Sequence, residues 1–350
     1  MRASYKKYIL DFKRPSGTSR GVLEKKETWF LILRKDEKSG IGECGLLRGL
    51  SFDDQPDYEK KLKWTCDNIH LGKDALWEAL KNFPSIQFGV EQAFLSLESE
   101  DSFELFPSDF TKKERAIPIN GLVWMGDFDF MQEQIQQKLA EGFRCIKLKI
   151  GAIDFTQEMA LLKSLRKEYP KEILEIRVDA NGAFSADKAL NKLNTLADFE
   201  LHSIEQPIHQ GNYAAMKRLC EETPLHIALD EELIGVFDHS KKEELLQTIK
   251  PQYIILKPSL IGGYRGSKEW ISLAEKYNIG WWVTSALESN VGLNAISQWT
   301  FTLENKMPQG LGTGGLYTNN IDSPLTIQNG SIFYSQTRKW NTNQIKELCT

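Results

Sequence analysis

Three short apolar runs of this chain each end on a carboxylate: IRVDAN on Asp179, SIEQP on Glu205 and IALDEE on Asp230. Two more end on lysine, IKLKI on Lys147 and Lys149 and IILKP on Lys257. Three carboxylates offer hard oxygen ligands and three negative charges, a set that suits Mg²⁺ better than zinc, with Mn²⁺ as the alternative ion. The α-proton of a carboxylate is a very weak acid, because its loss puts a second negative charge on the same group. A divalent ion bound to that group stabilises the charge as it forms. The proton also needs a base, and a lysine serves when desolvation and neighbouring positive charge pull its pKa down. Lys147 stands two residues before Lys149, so on a strand both side chains share a face and each disfavours protonation of the other. The expected substrate is a small carboxylate.

Taken singly, these residues say little. A lone Asp or Glu after a strand is most often a helix cap or a turn former, and a KxK alternation is usually a solvated face. Position decides the matter. Candidate strands end near Trp124, Lys149, Asp179, Glu205, Asp230, Lys257, Ser285 and Gly312, at steps of 25, 30, 26, 25, 27, 28 and 27 residues. One strand, one helix and two loops consume about that much chain, and repeated parallel units of this kind close into a barrel whose active site lies at the C-terminal strand ends. The expected fold class is α/β, a modified (β/α)7β barrel. Before it, YKKYILDF, ETWFLILR and IGECG read as strands, and residues 57–81 and 86–99 as helices, together a small α+β unit. After it, PLTIQNGSIFYSQ reads as a hairpin around Asn329-Gly330 and is expected to pack back on that unit.

Composition narrows the function classes. The chain has 350 residues, 41% apolar and 26% charged, with a net charge of −4 and no basic stripe for nucleic acid. No apolar run approaches a membrane span, and MRASYKKYILDFKRP has no signal-peptide core. Cys44, Cys66, Cys145, Cys220 and Cys349 are scattered, which fits reduced thiols in a cytoplasmic protein. The sequence sets no oligomeric state. The five histidines show no metal spacing. QGLGTGG lacks the GK[ST] of a phosphate loop; it is either a tight turn or a row of backbone N–H groups cradling an anion. Ser285 either donates a hydrogen bond to a ligand or caps a helix. Arg48, in LLRGLS, is a candidate partner for a substrate carboxylate.

KLKI, VDAN, IEQP, ALDEE and LKPS, in this order and spacing, resemble the enolase superfamily in its muconate-lactonizing-enzyme subgroup. The resemblance runs over nearly the whole chain. It implies an α+β capping domain formed by the N-terminal region (1–112) and the C-terminal tail (313–350), around a barrel at 113–312. It also implies that Asp179, Glu205 and Asp230 bind Mg²⁺, that Lys149 is the acid/base on one face, and that Lys257 stands on the other. Asn181 and Glu231, inside two of these motifs, are placed behind the ligands. The mandelate-racemase subgroup carries a histidine where this chain has Ser285, Ala286 and Leu287. GECGLLRGLS, SALESNVGLNA and GLGTGGLYTNN are similar to the o-succinylbenzoate synthase family, dehydratases of menaquinone biosynthesis. That likeness implies that Ser285 and the Gly312-Thr313-Gly314 backbone hold a succinyl arm. It also implies that residues 16–20 and 48–51, Arg48 included, close the site. Dipeptide epimerases carry an acidic DxD where this chain has Gly312-Thr313-Gly314. N-acylamino-acid racemases share both lysines and all three carboxylates and remain the alternative; an inactive ligand-binding barrel is the alternative of another class.

Overall fold

The computed structural model describes residues 1–18, 21–151 and 154–349. Its N-terminal part is an antiparallel sheet, β1 (Arg2–Thr18), β2 (Gly21–Lys35) and β3 (Lys38–Gly45), in that order. The run WFLIL in β2 is continuously apolar because both of its faces are covered. Trp29, Leu31 and Leu33 pack toward α1 (Tyr58–Asp67), α2 (Gly72–Ala79) and α3 (Pro84–Glu98), whereas Phe30 and Ile32 meet Val291, Ile321 and Leu348. Helix α3 lies against β3 at backbone distance. A Cβ on Gly42 would stand 2.0 Å from the Gly89 carbonyl oxygen, and one on Gly89 2.2 Å from Cys44 Sγ.

After α4 (Asp109–Lys113) and β4 (Ile117–Pro118) come seven parallel strands, each beside the next. They are β5 (Gly121–Val123), β6 (Cys145–Lys149), β7 (Glu175–Asp179), β8 (Ser203–Glu205), β9 (Ile227–Leu229), β10 (Tyr253–Leu256) and β11 (Gly280–Val283). Between and after them run α5 (Phe128–Ala140), α6 (Phe155–Glu168), α7 (Ala186–Ala197), α8 (Tyr213–Glu222), α9 (His239–Ile249), α10 (Pro258–Ile261), α11 (Gly263–Lys276) and α12 (Asn290–Thr302). The curled sheet finds the same segment at both edges. Gln309 N–H donates to Pro118 O at 2.9 Å on one side, and Gly310 N–H to Val283 O at 2.8 Å on the other. Along each strand the two-residue period sorts the side chains. Ile146, Leu148, Ile176, Val178 and Ile204 join the apolar layer under the helices, leaving Lys147, Lys149, Asp179 and Glu205 on the opposite face.

The tail hairpin forms where expected, as β12 (Leu325–Gln328) and β13 (Ser331–Tyr334), with Asn329 and Gly330 both at positive φ, 47° and 66°. Its place differs from the expectation. β13 pairs with β4, ahead of β5, rather than with the N-terminal sheet. Contact with that sheet is made by the chain on either side of the hairpin. Lys13 N–H donates to Leu316 O at 2.8 Å and Thr318 N–H to Asp11 O at 2.9 Å, and Leu348 of α13 (Thr342–Cys349) packs on Phe30 and Ile32.

Candidate active site

Strand register brings the chemistry together. Lys149, Asp179 and Glu205 are direct neighbours across β6, β7 and β8. Asp230 follows β9 by one residue, and Lys257 follows β10, where Pro258 opens α10 at a position needing no N–H donor. Lys147 Nζ lies 3.0 Å from Asp179 Oδ2 and 2.7 Å from Glu205 Oε2. Lys149 Nζ donates to Asp179 Oδ2 at 2.9 Å and to Asn181 Oδ1 at 2.6 Å. Lys257 pairs with Asp230, with Glu205 Oε1 3.9 Å away. Behind them, Asn181 Nδ2 donates to Glu231 Oε1 at 3.0 Å.

All six side chains are buried or nearly so, and the electrostatics follow from that. Burial alone would raise Asp179, but Lys147, Lys149 and Lys257 outweigh it and hold its carboxyl far below the usual range. Glu205 goes the other way, pushed well up by burial and then by Asp179 beside it. Lys147 corrects the expectation of mutually depressed lysines. Burial does lower it, yet Asp179 and Glu205 overcome that and raise it above its ordinary value. Lys257 is likewise lowered by burial and raised on balance by Asp230 and Glu205.

Three carboxyl groups, Asp179, Glu205 and Asp230, face three lysines, Lys147, Lys149 and Lys257. Among the described residues no three Asp, Glu, His or Cys side chains already stand close enough to share one cation. Lysine nitrogens sit between the carboxylates instead. The donor set nonetheless fits a hard divalent ion: three carboxylates, one of whose buried oxygens, Glu205 Oε1, accepts no hydrogen bond.

A cavity of about 90 Å³ opens over these residues. Lys147, Lys149, Asn181 and Lys257 form its polar floor, and Ser285, Gly312 and Thr313 one wall. Leu23, Leu47 and Leu50 close it from the N-terminal side. A larger cavity near the tail, about 1290 Å³, touches none of the six charged residues. The backbone N–H groups of Gly312, Thr313 and Gly314 donate to no acceptor among the described residues. Ser285 gives its hydroxyl hydrogen to Glu288 Oε2 at 2.6 Å and accepts from Thr313 Oγ1 at 2.8 Å, so it is engaged within the wall and is not a free donor. Arg48 is not brought to the cavity. Its guanidinium is half exposed and held by Glu27 and by Asp54 at 2.6 Å, while its neighbours Leu47 and Leu50 point inward. Of the expected closing loop, Ser16 is buried beside a wider groove, and Ser19 and Arg20 lie outside the described residues.

A family model described as enolase C-terminal domain-like matches residues 130–337. The chain belongs to the enolase superfamily. Within the superfamily it is 48% identical to an o-succinylbenzoate synthase of Desulfotalea psychrophila, over 95% of this chain and 98% of that one. The crystal structure of MenC from the same organism superposes with a TM-score of 0.85 at 43% identity, covering 95% of this chain and 99% of that one. A muconate lactonizing enzyme of Pseudomonas fluorescens shares the fold, at a TM-score of 0.83 and 22% identity, over 99% of this chain and 98% of that one.

The strand-end carboxylates and lysines were readable from spacing; two other features were not. Gln206 takes the N–H groups of Asp230 at 3.2 Å and Glu232 at 3.3 Å on its Oε1, tying the end of β8 to the end of β9. Its place inside IEQP was the only signal. The apolar lid residues Leu23, Leu47 and Leu50 carry none, since a leucine in a loop looks the same whether it faces a ligand or a core.

Proposed function

We propose that this chain is an o-succinylbenzoate synthase. It dehydrates 2-succinyl-6-hydroxy-2,4-cyclohexadiene-1-carboxylate to 2-succinylbenzoate, in the cytoplasm, for menaquinone biosynthesis. The observation that carries this is the 48% identity to such an enzyme across 95% of the chain. In this reading residues 113–312 are a (β/α)7β barrel, capped by residues 1–112 and the tail 313–350. Asp179, Glu205 and Asp230 hold Mg²⁺, with Mn²⁺ as the alternative. When bound, that ion supplies positive charge to the ring carboxylate, where a second negative charge develops.

Lys149 takes the proton from C1 of the ring. The electron pair of that C–H bond forms the C1–C6 double bond, the C6–OH bond breaks, and Lys149 returns the proton to the departing hydroxide, which leaves as water. Hydrogen bonds to Asp179 and Asn181 fix where its Nζ points. Lys257, raised by Asp230 and Glu205 against burial, stays charged on the other face and stabilises the developing anion without exchanging a proton. Lys147 balances Asp179 and Glu205 from beneath. The unpaired N–H groups of Gly312, Thr313 and Gly314 receive the carboxylate of the succinyl arm.

The test is formation of 2-succinylbenzoate from the cyclohexadiene, with N-succinyl amino acids assayed beside it. Activity is expected to vanish with a chelator and return with Mg²⁺. Glu205→Gln is expected to fold and lose about 10²–10³-fold or more in kcat. Full turnover in chelator would remove the metal from the reading, and no turnover by the metal-loaded protein would remove the dehydratase.

A further inference from the structure

Behind the cavity wall lies a buried ion cluster that the chemistry above does not use. Lys26 of β2 is 4% exposed, and its Nζ makes no hydrogen bond. The charges opposite it are Glu43 of β3 and Glu288, which follows β11, and both are fully buried. Lys26 and Glu288 meet at Gly45, where a Cβ would stand 3.2 Å from Glu288 Cγ and 3.4 Å from Lys26 Nζ, and Glu43 meets Glu288 at Gly292, where a Cβ would stand 2.8 Å from both Glu43 Oε2 and Glu288 Cβ. Glu43 accepts from Thr28 Oγ1 at 2.8 Å and from the N–H groups of Ser289 and Gly292, both at 2.9 Å. Glu288 accepts from Ser259 Oγ and Ser285 Oγ, both at 2.6 Å. Burial pulls the Lys26 ammonium below its ordinary pKa, and Glu43 and Glu288 beside it oppose that, so the three groups depend on one another.

The backbone beside this cluster is strained. Leu287 lines the cavity with φ at +62°, a region that a bulky side chain rarely adopts. Two hydrogen bonds pin it. Tyr317 Oη donates to its carbonyl at 2.7 Å, and its N–H donates to Ser285 Oγ at 3.1 Å. Strain persists only where the surroundings over-determine it, and such places gather at ligand clamps. Ser285 is the hinge of the arrangement. Glu288 Oε2 takes the single Ser285 hydroxyl hydrogen, so Ser285 Oγ is left to accept from Thr313 Oγ1. The chain of hydrogen bonds thus runs from Thr313 to Ser285 to Glu288.

We infer that Lys26 and Glu288 are positioning residues, a pair reaching from the N-terminal sheet that orients Ser285, and through it Thr313, so that the N–H row at residues 312–314 is set for the distal carboxylate of the substrate. The inference rests on the proposed place of that carboxylate. Specificity for a dianion is thus set partly by a residue that touches no substrate.

Glu288→Gln tests this with almost no change of shape, because an amide can donate to Ser285 and free Thr313 to turn. Binding of 2-succinylbenzoate to the metal-loaded protein is measured by calorimetry, beside 2-butanoylbenzoate, which lacks the distal carboxylate. In Glu288→Gln the first is expected to weaken about tenfold while the second stays within about twofold, the difference of one charge-assisted contact. KM is expected to rise about tenfold with kcat little changed, as for lost uniform binding. Lys26→Met is expected to lower Tm, and adding Glu288→Gln to it is expected to recover part of that loss. Equal weakening of both probes, or a fall in kcat at constant KM, overturns the inference, as does a Glu288→Gln protein that still discriminates like the parent. A parent protein that binds both probes equally refutes the functional reading and the inference with it.

Discussion

The two lysines over the carboxylates are alike in residue type and unlike in surroundings. Lys149 is held by one carboxylate oxygen and one amide oxygen, while Lys257 is held by Asp230 with Glu205 near. A single-sided elimination needs one proton carrier, so Lys149→Arg, whose guanidinium is effectively always protonated, is expected to be inactive in any reaction. Lys257→Arg keeps the charge and is expected to retain measurable dehydration while losing any racemisation of N-succinyl amino acids, which needs a proton at both faces. Equal proportional loss of both activities would show that Lys257 titrates. Arg48 supplies the contrasting case. Bound outward by Glu27 and Asp54, its replacement by Ala is expected to move KM less than about twofold and stability by no more than about 1 kcal/mol. A tenfold rise in KM would bring it back to the substrate. What separates the legible residues from the others is where their partners sit. Asp179, Glu205 and Lys149 could be read because one strand period places each of them. Arg48 could not, because Glu27 comes from a different strand and nothing local in LLRGLS reveals it.

Among the elements, the tightest joint is α3 against β3. Gly42 and Gly89 let two backbones touch, and a Cβ on Gly42 would stand 2.0 Å from a carbonyl oxygen that has no room to retreat. Gly42→Ala is therefore expected to cost about 1–3 kcal/mol or more, read as a lower denaturation midpoint at unchanged slope. Gly315→Ala, whose Cβ would meet nothing within 4 Å, is the control and is expected to stay within about 0.5 kcal/mol. A Gly42→Ala midpoint equal to the control's would mean that the helix shifts freely. The elements themselves were largely visible in the sequence, since alternation and turn residues are local signals: IGECG is a strand, and Asn329-Gly330 is a turn. Pairing was not visible. β13 meets β4 across more than two hundred residues, through short strands with no distinguishing pattern.

At the scale of the whole molecule, the N-terminal sheet and the parallel sheet are joined through buried acids. Glu91 on α3 accepts the N–H groups of Tyr264 and Arg265 at the start of α11, at 2.5 and 3.1 Å. Burial raises its pKa from an ordinary 4.5 to about 7, with those two N–H groups opposing. Between these values the folded protein holds a proton that the unfolded chain has released, so the contribution of Glu91 to stability falls as pH rises from about 4.5 to about 7 and then levels off. Relative to Glu91→Gln, the parent is expected to lose stability across that window in urea titrations at several pH values. A difference that does not change with pH would show that Glu91 is ionised throughout. The same joining of distant parts has a consequence for synthesis. Phe30 and Ile32 leave the ribosome about three hundred residues before Ile321 and Leu348, which cover them. At ordinary elongation rates that is a delay of roughly a quarter of a minute to a minute. Through that interval the nascent sheet shows an apolar face to water, and a holding chaperone would find its target there, on the strand that also carries Lys26.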